Sequence, residues 1–85
     1  LVLLKRLSDA ERDGDRIYCV IHDAMSNHDG RTGKNSYIVP SPIGQDRLLR
    51  RIYEKSKIDA KSVFYVECHG TGTQIGDPVE TNTIG

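Results

Sequence analysis

Glycines that separate an apolar run from a helix start constrain this chain more than any other feature. Residues 63–66 read Val-Phe-Tyr-Val, which is apolar on both faces and typical of a buried strand. Gly70, Gly72 and Gly76 follow, and glycine lets a backbone turn left-handed or come close to a ligand. His69 stands at the predicted end of the strand. The stretch therefore predicts a strand that runs into a tight loop carrying one histidine.

The segment after the loop has the sequence of a helix N-terminus. Asp77 can cap the helix, and Pro78 suits the first turn, where a missing N–H costs nothing. Glu80 lies three residues after Asp77 and can reach back in the manner of a capping box. We therefore predict a helix that begins at Asp77.

Upstream, the pattern predicts two further strands and one long helix. Residues 1–4 and residues 16–22 read as strands, and residues 5–16 as a charged surface connection. Ser41 is expected to cap the helix and Pro42 to open it. Strand, helix and strand 63–66 then form one parallel, right-handed βαβ unit in an α/β fold. Ligands of open α/β sheets bind at the carboxyl ends of the strands, which is where His69 falls.

Composition bounds the size and class of the protein. The chain has 85 residues, 36% of them hydrophobic, so its own core would be thin, and its apolar ends predict a piece of a larger domain. The net charge is zero, which gives no electrostatic reason to expect a nucleic acid or an anionic membrane as partner. The apolar runs are too short for a membrane span or signal peptide. We expect a cytoplasmic protein.

Two other chemistries fit the His69 stretch poorly. The glycines read G-x-G-x-x-x-G, one residue longer than the dinucleotide fingerprint, so a nucleotide-binding α/β module is the less favoured alternative. No metal site is expected, because Cys68 and His69 would point to opposite faces of a strand. His69 also has no nucleophile nearby in the sequence, so a catalytic role would need partners from elsewhere in the fold.

Taken together, these motifs resemble the β-ketoacyl synthase (ketosynthase) domains of type I polyketide synthases and multidomain fatty acid synthases. The resemblance covers essentially the whole chain and keeps the family's order. It rests on the following segments: Leu3-Leu4-Lys5-Arg6-Leu7-Ser8-Asp9-Ala10, Arg12-Asp13-Gly14-Asp15-Arg16-Ile17-Tyr18, Asn27 with Asp29-Gly30-Arg31, Val39-Pro40-Ser41-Pro42 with Gln45, and His69-Gly70-Thr71-Gly72-Thr73 with Gly76-Asp77-Pro78 and Glu80.

The resemblance implies a fold and a domain division. The expected fold is thiolase-like, with two similar α/β halves in an αβαβα layered arrangement. Residues 1–16 would end the N-terminal half, and residues 17–85 would begin the C-terminal half. The nucleophilic cysteine would then lie upstream of Leu1, and a second histidine and a lysine downstream of Gly85. Accordingly, these 85 residues alone are expected to be inactive and poorly folded.

The resemblance also implies an activity, decarboxylative Claisen condensation of an acyl thioester with a malonyl-type extender. His69 would be catalytic, hydrogen-bonding the extender's thioester carbonyl, and Thr71 and Thr73 would bind the phosphopantetheine arm of an acyl carrier protein. Glu80 would have a mainly structural role. No cofactor would bind directly, and the full-length protein would be a homodimer. A ketosynthase-like domain that binds acyl chains or carrier proteins without catalysis is the alternative within the family.

Overall fold

Three helices and a short 3-10 helix make up the regular structure of the residues that the structure describes. The computed structural model describes residues 1–31 and 39–85. Helix α1 spans Leu7–Asp13, α2 spans Pro42–Ser56 and α3 spans Gly76–Ile84, with a 3-10 helix at Ala60–Ser62 between α2 and α3. Helices α2 and α3 pack against each other. This contact brings the residues before α3 close to the beginning of α2.

The described residues contain no strand, which differs from the prediction. Residues 1–4, 16–22 and 63–66 have no regular secondary structure, so the βαβ unit is not formed. A strand obtains its backbone hydrogen bonds from a neighbouring strand, and none of the described segments supplies that neighbour. The sequence identifies these segments as apolar. Whether they pair as strands depends on residues distant in the sequence, which a local pattern does not reveal.

The apolar segments that were predicted as strands lie at the surface instead of in a core. Leu3 is 98% exposed and Phe64 100% exposed, and Val2 and Tyr65 are also exposed. The radius of gyration is 16.3 Å, whereas a compact domain of this length has one of about 12 Å. Burial of apolar area is the main driving force for folding, so the described chain leaves much of that driving force unused.

Helix α1 replaces the irregular surface connection that the charge pattern predicted. Its exposed charges pair with one another, as in the 2.9 Å contact between Arg12 and Asp9. The helix ends at Asp13 and is capped by Gly14, whose φ of 68° is left-handed, and the Asp15 N–H closes the turn on the Ala10 carbonyl at 2.9 Å. The sequence 13–15 thus forms the turn that terminates a helix.

Helix α2 begins as the sequence predicts. The Ser41 hydroxyl accepts a hydrogen bond from the Gly44 N–H at 3.2 Å, and Pro42 occupies the first turn. Ser41 is completely buried, so its hydroxyl satisfies a donor that water does not reach. The apolar side chains of α2, Leu48, Leu49, Ile52 and Tyr53, are half-buried. Asp59 caps the 3-10 helix by accepting from the Lys61 N–H at 2.9 Å.

The segment around residues 27–29 fastens the beginning of α2. The Asn27 amide donates to the Gly44 carbonyl at 2.8 Å, and the Ser41 N–H donates to the Asp29 carboxylate at 2.9 Å. A Cβ atom on Gly44 would come within 2.4 Å of the Asp29 carboxylate oxygen, so only glycine permits this approach. Two separate segments therefore hold the α2 N-terminus in one position.

Replacing Ser41 by Ala should loosen the first turn of α2. Loss of a side-chain N-cap costs about 1 kcal/mol, so we expect exchange of the Gly44 amide to accelerate about fivefold. Hydrogen–deuterium exchange on the purified protein measures this. Ser26→Ala, at an exposed serine, is the matched control. Equal exchange of the Gly44 amide in both variants would contradict the assigned cap.

Candidate active site

A cleft of about 280 Å³ lies where the loop before α3 meets the entry to α2. We call residues 69–76 the glycine loop. The loop and α3 form one wall of the cleft, and the residues that enter and open α2 form the other. Its lining consists of Pro40, Gln45, His69, Thr71, Thr73, Gly76 and Glu80. All three site residues predicted from the sequence, His69, Thr71 and Thr73, are therefore brought together in one cleft.

The glycine loop takes its shape from two left-handed residues. Gly70 has a φ of 55° and Gly72 a φ of 75°, a region that residues with a Cβ adopt only at a cost in free energy. These two turns direct the backbone N–H groups of the loop toward the beginning of α3. The predicted need for glycine at these positions is confirmed.

Glu80 accepts the hydrogen bonds that fix the beginning of the loop. Its two carboxylate oxygens accept from the His69 N–H at 2.7 Å and from the Gly70 N–H at 3.0 Å. The Gly70 and His69 N–H groups, together with the nearby His69 side chain, lower the pKa of the Glu80 carboxyl below its ordinary value. Glu80 therefore remains ionised at neutral pH and acts as a double acceptor under His69.

The capping box predicted for α3 is wrong. The helix begins at Gly76, one residue before the predicted cap, and Asp77 lies in its first turn. The Asp77 carboxylate accepts from the Gly72 N–H at 3.1 Å instead of capping its own helix, and Glu80 reaches the loop. The reason is the loop conformation, which offers N–H donors to both carboxylates.

Thr73 supplies the hydrogen bond at the start of α3 that was expected from Asp77. Its hydroxyl accepts from the Gly76 N–H at 3.0 Å, and its carbonyl accepts from the Asp77 N–H at 3.3 Å. The Thr71 hydroxyl lies 3.3 Å from the Thr73 hydroxyl. A Cβ on Gly76 would come within 2.3 Å of the Thr73 hydroxyl. Close packing at Gly76 thus sets the position of both hydroxyls on the cleft wall.

Sequence reasoning missed the opposite wall of the cleft. Pro40 and Gln45 face the glycine loop across the cleft, although they lie more than 20 residues before it in the sequence. Both belong to segments that carry the family resemblance, but no local motif connects them with His69. Only the packing of α2 on α3 brings them there.

A phosphate is a poor ligand for this loop. Side chains of the chain itself already bind four of its backbone N–H groups, at His69, Gly70, Gly72 and Gly76. Two of the acceptors are carboxylates, which repel an anion. The cleft therefore suits a neutral ligand with amide or hydroxyl groups better than a nucleotide.

The other sites considered from the sequence do not form in the structure. Cys19 and Cys68 are free and exposed, and neither lines the cleft. Across residues 1–31 and 39–85, no three His, Cys, Asp or Glu side chains gather as metal ligands.

Comparison with known proteins decides the family. The model of the β-ketoacyl synthase C-terminal domain matches residues 18–85, which is more than half of the chain. The chain belongs to the β-ketoacyl synthase family. This family assignment implies a thiolase-like fold and confirms the resemblance to polyketide synthases.

The similar curated proteins are polyketide synthases. Polyketide synthase PksN of Bacillus subtilis is 50% identical over 84 residues, which are 99% of this chain and 2% of that protein. Probable polyketide synthase 17 of Dictyostelium discoideum is 45% identical over 82 residues, 96% of this chain and 3% of that protein. The highly reducing polyketide synthase otaA of Aspergillus carbonarius is 46% identical over 83 residues, 98% of this chain and 3% of that protein.

The ketosynthase chain thus spans only a few per cent of the length of these relatives. No solved structure matches it at a significant level. Within the part of the chain that the structure describes, no helix has both the length and the apolar character needed to cross a membrane.

Replacing Glu80 by Gln should loosen the glycine loop. Glutamine keeps the size of the side chain but offers one acceptor oxygen, so one of the two N–H groups loses its partner. We expect the protection of the His69 and Gly70 amides from hydrogen exchange to fall about fivefold. Glu54→Gln, at an exposed glutamate of α2, is the matched control. If Glu80→Gln left the protection of both amides unchanged, Glu80 would not be the residue that holds the loop.

The two hydrogen bonds that Glu80 accepts also predict that the stability of the glycine loop depends on pH in the unaltered chain. Because the folded-state pKa of Glu80 is lowered, its contribution to loop stability is present above the ordinary carboxyl pKa. The contribution is lost as the pH falls through the lowered value. Protection factors, which correct for the pH dependence of intrinsic exchange, should therefore fall at His69 and Gly70 on acidification. The fall should be absent in Glu80→Gln, and an equal fall in both proteins would exclude Glu80 as its cause.

Proposed function

We propose that this chain is part of a ketosynthase that joins an acyl thioester to a malonyl-type extender by decarboxylative Claisen condensation. One observation carries the proposal: His69 and two threonine hydroxyls line a single cleft on a loop whose amides are held by Glu80 and Asp77. One ring donor beside two hydroxyls matches a thioester at the end of an amide-containing arm. The extender would be carried on the phosphopantetheine of an acyl carrier protein.

The reaction needs a group that stabilises negative charge on an oxygen. The malonyl thioester loses its carboxylate as CO₂, and the electron pair of the broken C–C bond forms an enolate on the thioester carbonyl. The enolate carbon attacks the acyl thioester held on a cysteine, the new C–C bond forms, and the cysteine leaves as a thiolate. His69 would donate its ring N–H to the enolate oxygen, and a positioned donor of this kind strengthens as charge develops.

Thr71 and Thr73 differ in the part they would play. The Thr73 hydroxyl already accepts a hydrogen bond from the Gly76 N–H, so it connects the arm to the beginning of α3. The Thr71 hydroxyl makes its hydrogen bond with the Thr73 hydroxyl. Thr71 would therefore contact the arm without helping to hold the loop.

The exposed apolar segments support a larger fold around this site. Residues 1–4, 16–22 and 63–66 would be strands of the layered αβαβα sheet, paired with strands that other parts of a ketosynthase supply. The N-terminal half would end with residues 1–16, and the C-terminal half would begin at residue 17. The family match that starts at residue 18 supports this division.

The remaining groups of the reaction would come from outside these residues. The nucleophilic cysteine would precede residue 1, and the second histidine and a lysine would follow residue 85. The full-length protein would be a homodimer in the cytoplasm, working with an acyl carrier protein domain. A ketosynthase-like protein without the nucleophile would bind acyl chains or carriers only, and self-acylation distinguishes the two.

In the full-length synthase, His69→Ala should reduce condensation while leaving self-acylation of the cysteine largely intact. Removal of one oxyanion donor lowers the rate about 10²- to 10³-fold. Acylation can be followed by mass spectrometry of the intact protein, and condensation by release of CO₂ from a malonyl thioester.

His28→Ala, at an exposed histidine away from the cleft, is the matched control and should retain both activities. Equal loss of acylation and condensation in His69→Ala would refute the role given to His69. Absence of acylation in the unaltered synthase would favour the non-catalytic alternative.

Thr71→Val and Thr73→Val should separate arm binding from loop stability. Both remove a hydroxyl at nearly constant shape, so both should raise KM for the carrier-bound extender about fivefold. Only Thr73→Val should also increase exchange of the Gly76 amide, because only Thr73 accepts from that N–H. Steady-state kinetics and hydrogen exchange measure the two effects. If Thr71→Val also increased exchange of the Gly76 amide, Thr71 would help to hold the loop, contrary to the proposal.

A further inference from the structure

Among residues 1–31 and 39–85, Gln45 is the one side chain with a primary amide that lines the cleft, on the wall opposite His69. It lies in the first turn of α2, where its own N–H donates to the Ser41 carbonyl at 3.1 Å. The side chain is half-buried. No hydrogen bond of this side chain to any of residues 1–31 and 39–85 is present. Gln45 thus brings two donors and one acceptor to the cleft.

The position of Gln45 is fixed by contacts that hold the residues immediately before it, Ser41 and Gly44. Asn27 holds the Gly44 carbonyl at 2.8 Å, and Asp29 holds the Ser41 N–H at 2.9 Å. Gly44 has no room for a Cβ beside Asp29. The backbone of Gln45 is therefore rigidly placed, and a rigid support lowers the entropy cost of a contact that its side chain makes with a ligand.

We propose that Gln45 is a specificity-determining residue whose carboxamide hydrogen-bonds an amide of the carrier's pantetheine arm, from the wall opposite Thr71 and Thr73. The inference rests on the proposed function, since it concerns the arm that delivers the extender. A backbone-like amide presents an N–H donor and a C=O acceptor together. A primary amide carries its N–H donors and its C=O acceptor in one plane, so it can pair with both groups of the arm's amide at once.

The charges of the cleft favour the neutral part of the arm over its phosphate. No Lys or Arg of the described residues lines the cleft, and Glu80 contributes a negative charge. The arm's phosphate would be repelled there, whereas an amide would not. The Gln45 carboxamide therefore contacts one of the arm's amides, and the phosphate stays outside the cleft.

The experiment compares two malonyl thioesters in the full-length synthase. One carries the complete pantetheine arm, and the other is the thioester of ethanethiol, which has no amide. Gln45→Met keeps the length of the side chain and removes its hydrogen bonds. Glu54→Met, at an exposed position of the same helix, is the matched control. KM and kcat are measured for each thioester in each protein, and the melting temperature of each variant is recorded.

Gln45→Met should raise KM for the pantetheine thioester about fivefold, as for one lost hydrogen bond, with kcat unchanged. KM for the ethanethiol thioester should not change, and Glu54→Met should behave as the parent. A structural role would raise KM for both thioesters or lower the melting temperature, and either result would overturn the proposal. An unchanged KM for the pantetheine thioester would overturn it too.

The outcome also distinguishes this inference from the proposed function. If the parent synthase condenses the pantetheine thioester and Gln45→Met is indistinguishable from it, the role of Gln45 fails and the function stands. If the parent condenses neither thioester, the function fails and the inference fails with it.

Discussion

The candidate site depends on one interaction, the binding of loop N–H groups by the carboxylates of α3. Glu80 accepts from His69 and Gly70, and Asp77 accepts from Gly72. Without these acceptors the left-handed turns at Gly70 and Gly72 would expose unpaired donors, and many other loop conformations would compete. With them, the backbone faces α3, and the His69 ring and the threonine hydroxyls face the cleft.

The same interaction determines which ligands the cleft can accept. A helix N-terminus preceded by glycines normally offers its N–H groups and its positive dipole end to an anion. In this chain, Asp77 and Glu80 place two negative charges there and use the loop donors themselves. Both carboxylates therefore make this loop a poor phosphate site, and their hydrogen bonds hold the cleft wall in one conformation.

Local features of the structure could be predicted from the sequence, and contacts between distant residues could not. Ser41 caps its helix as expected, because a cap depends on residues within one turn. His69, Thr71 and Thr73, which the structure brings to one cleft, could be singled out for the same reason, since they belong to one short motif. The partner of Glu80 was misassigned, because the capping box and the loop brace use the same residue and only the loop conformation distinguishes them. Gln45 was missed because the packing of α2 on α3, which no short motif encodes, brings it to the cleft.

The glycine loop forms in the structure whereas the predicted strands do not, and the reason lies in the sequence distance between the bonded residues. The brace of the glycine loop joins residues no more than 11 apart, so a short segment closes it at a small cost in chain entropy. The predicted strands form no pairs among residues 1–31 and 39–85, and their apolar side chains are consequently exposed. The hydrogen bonds that hold His69, Thr71 and Thr73 in place are therefore local, whereas pairing of the apolar segments depends on contacts over long sequence distances.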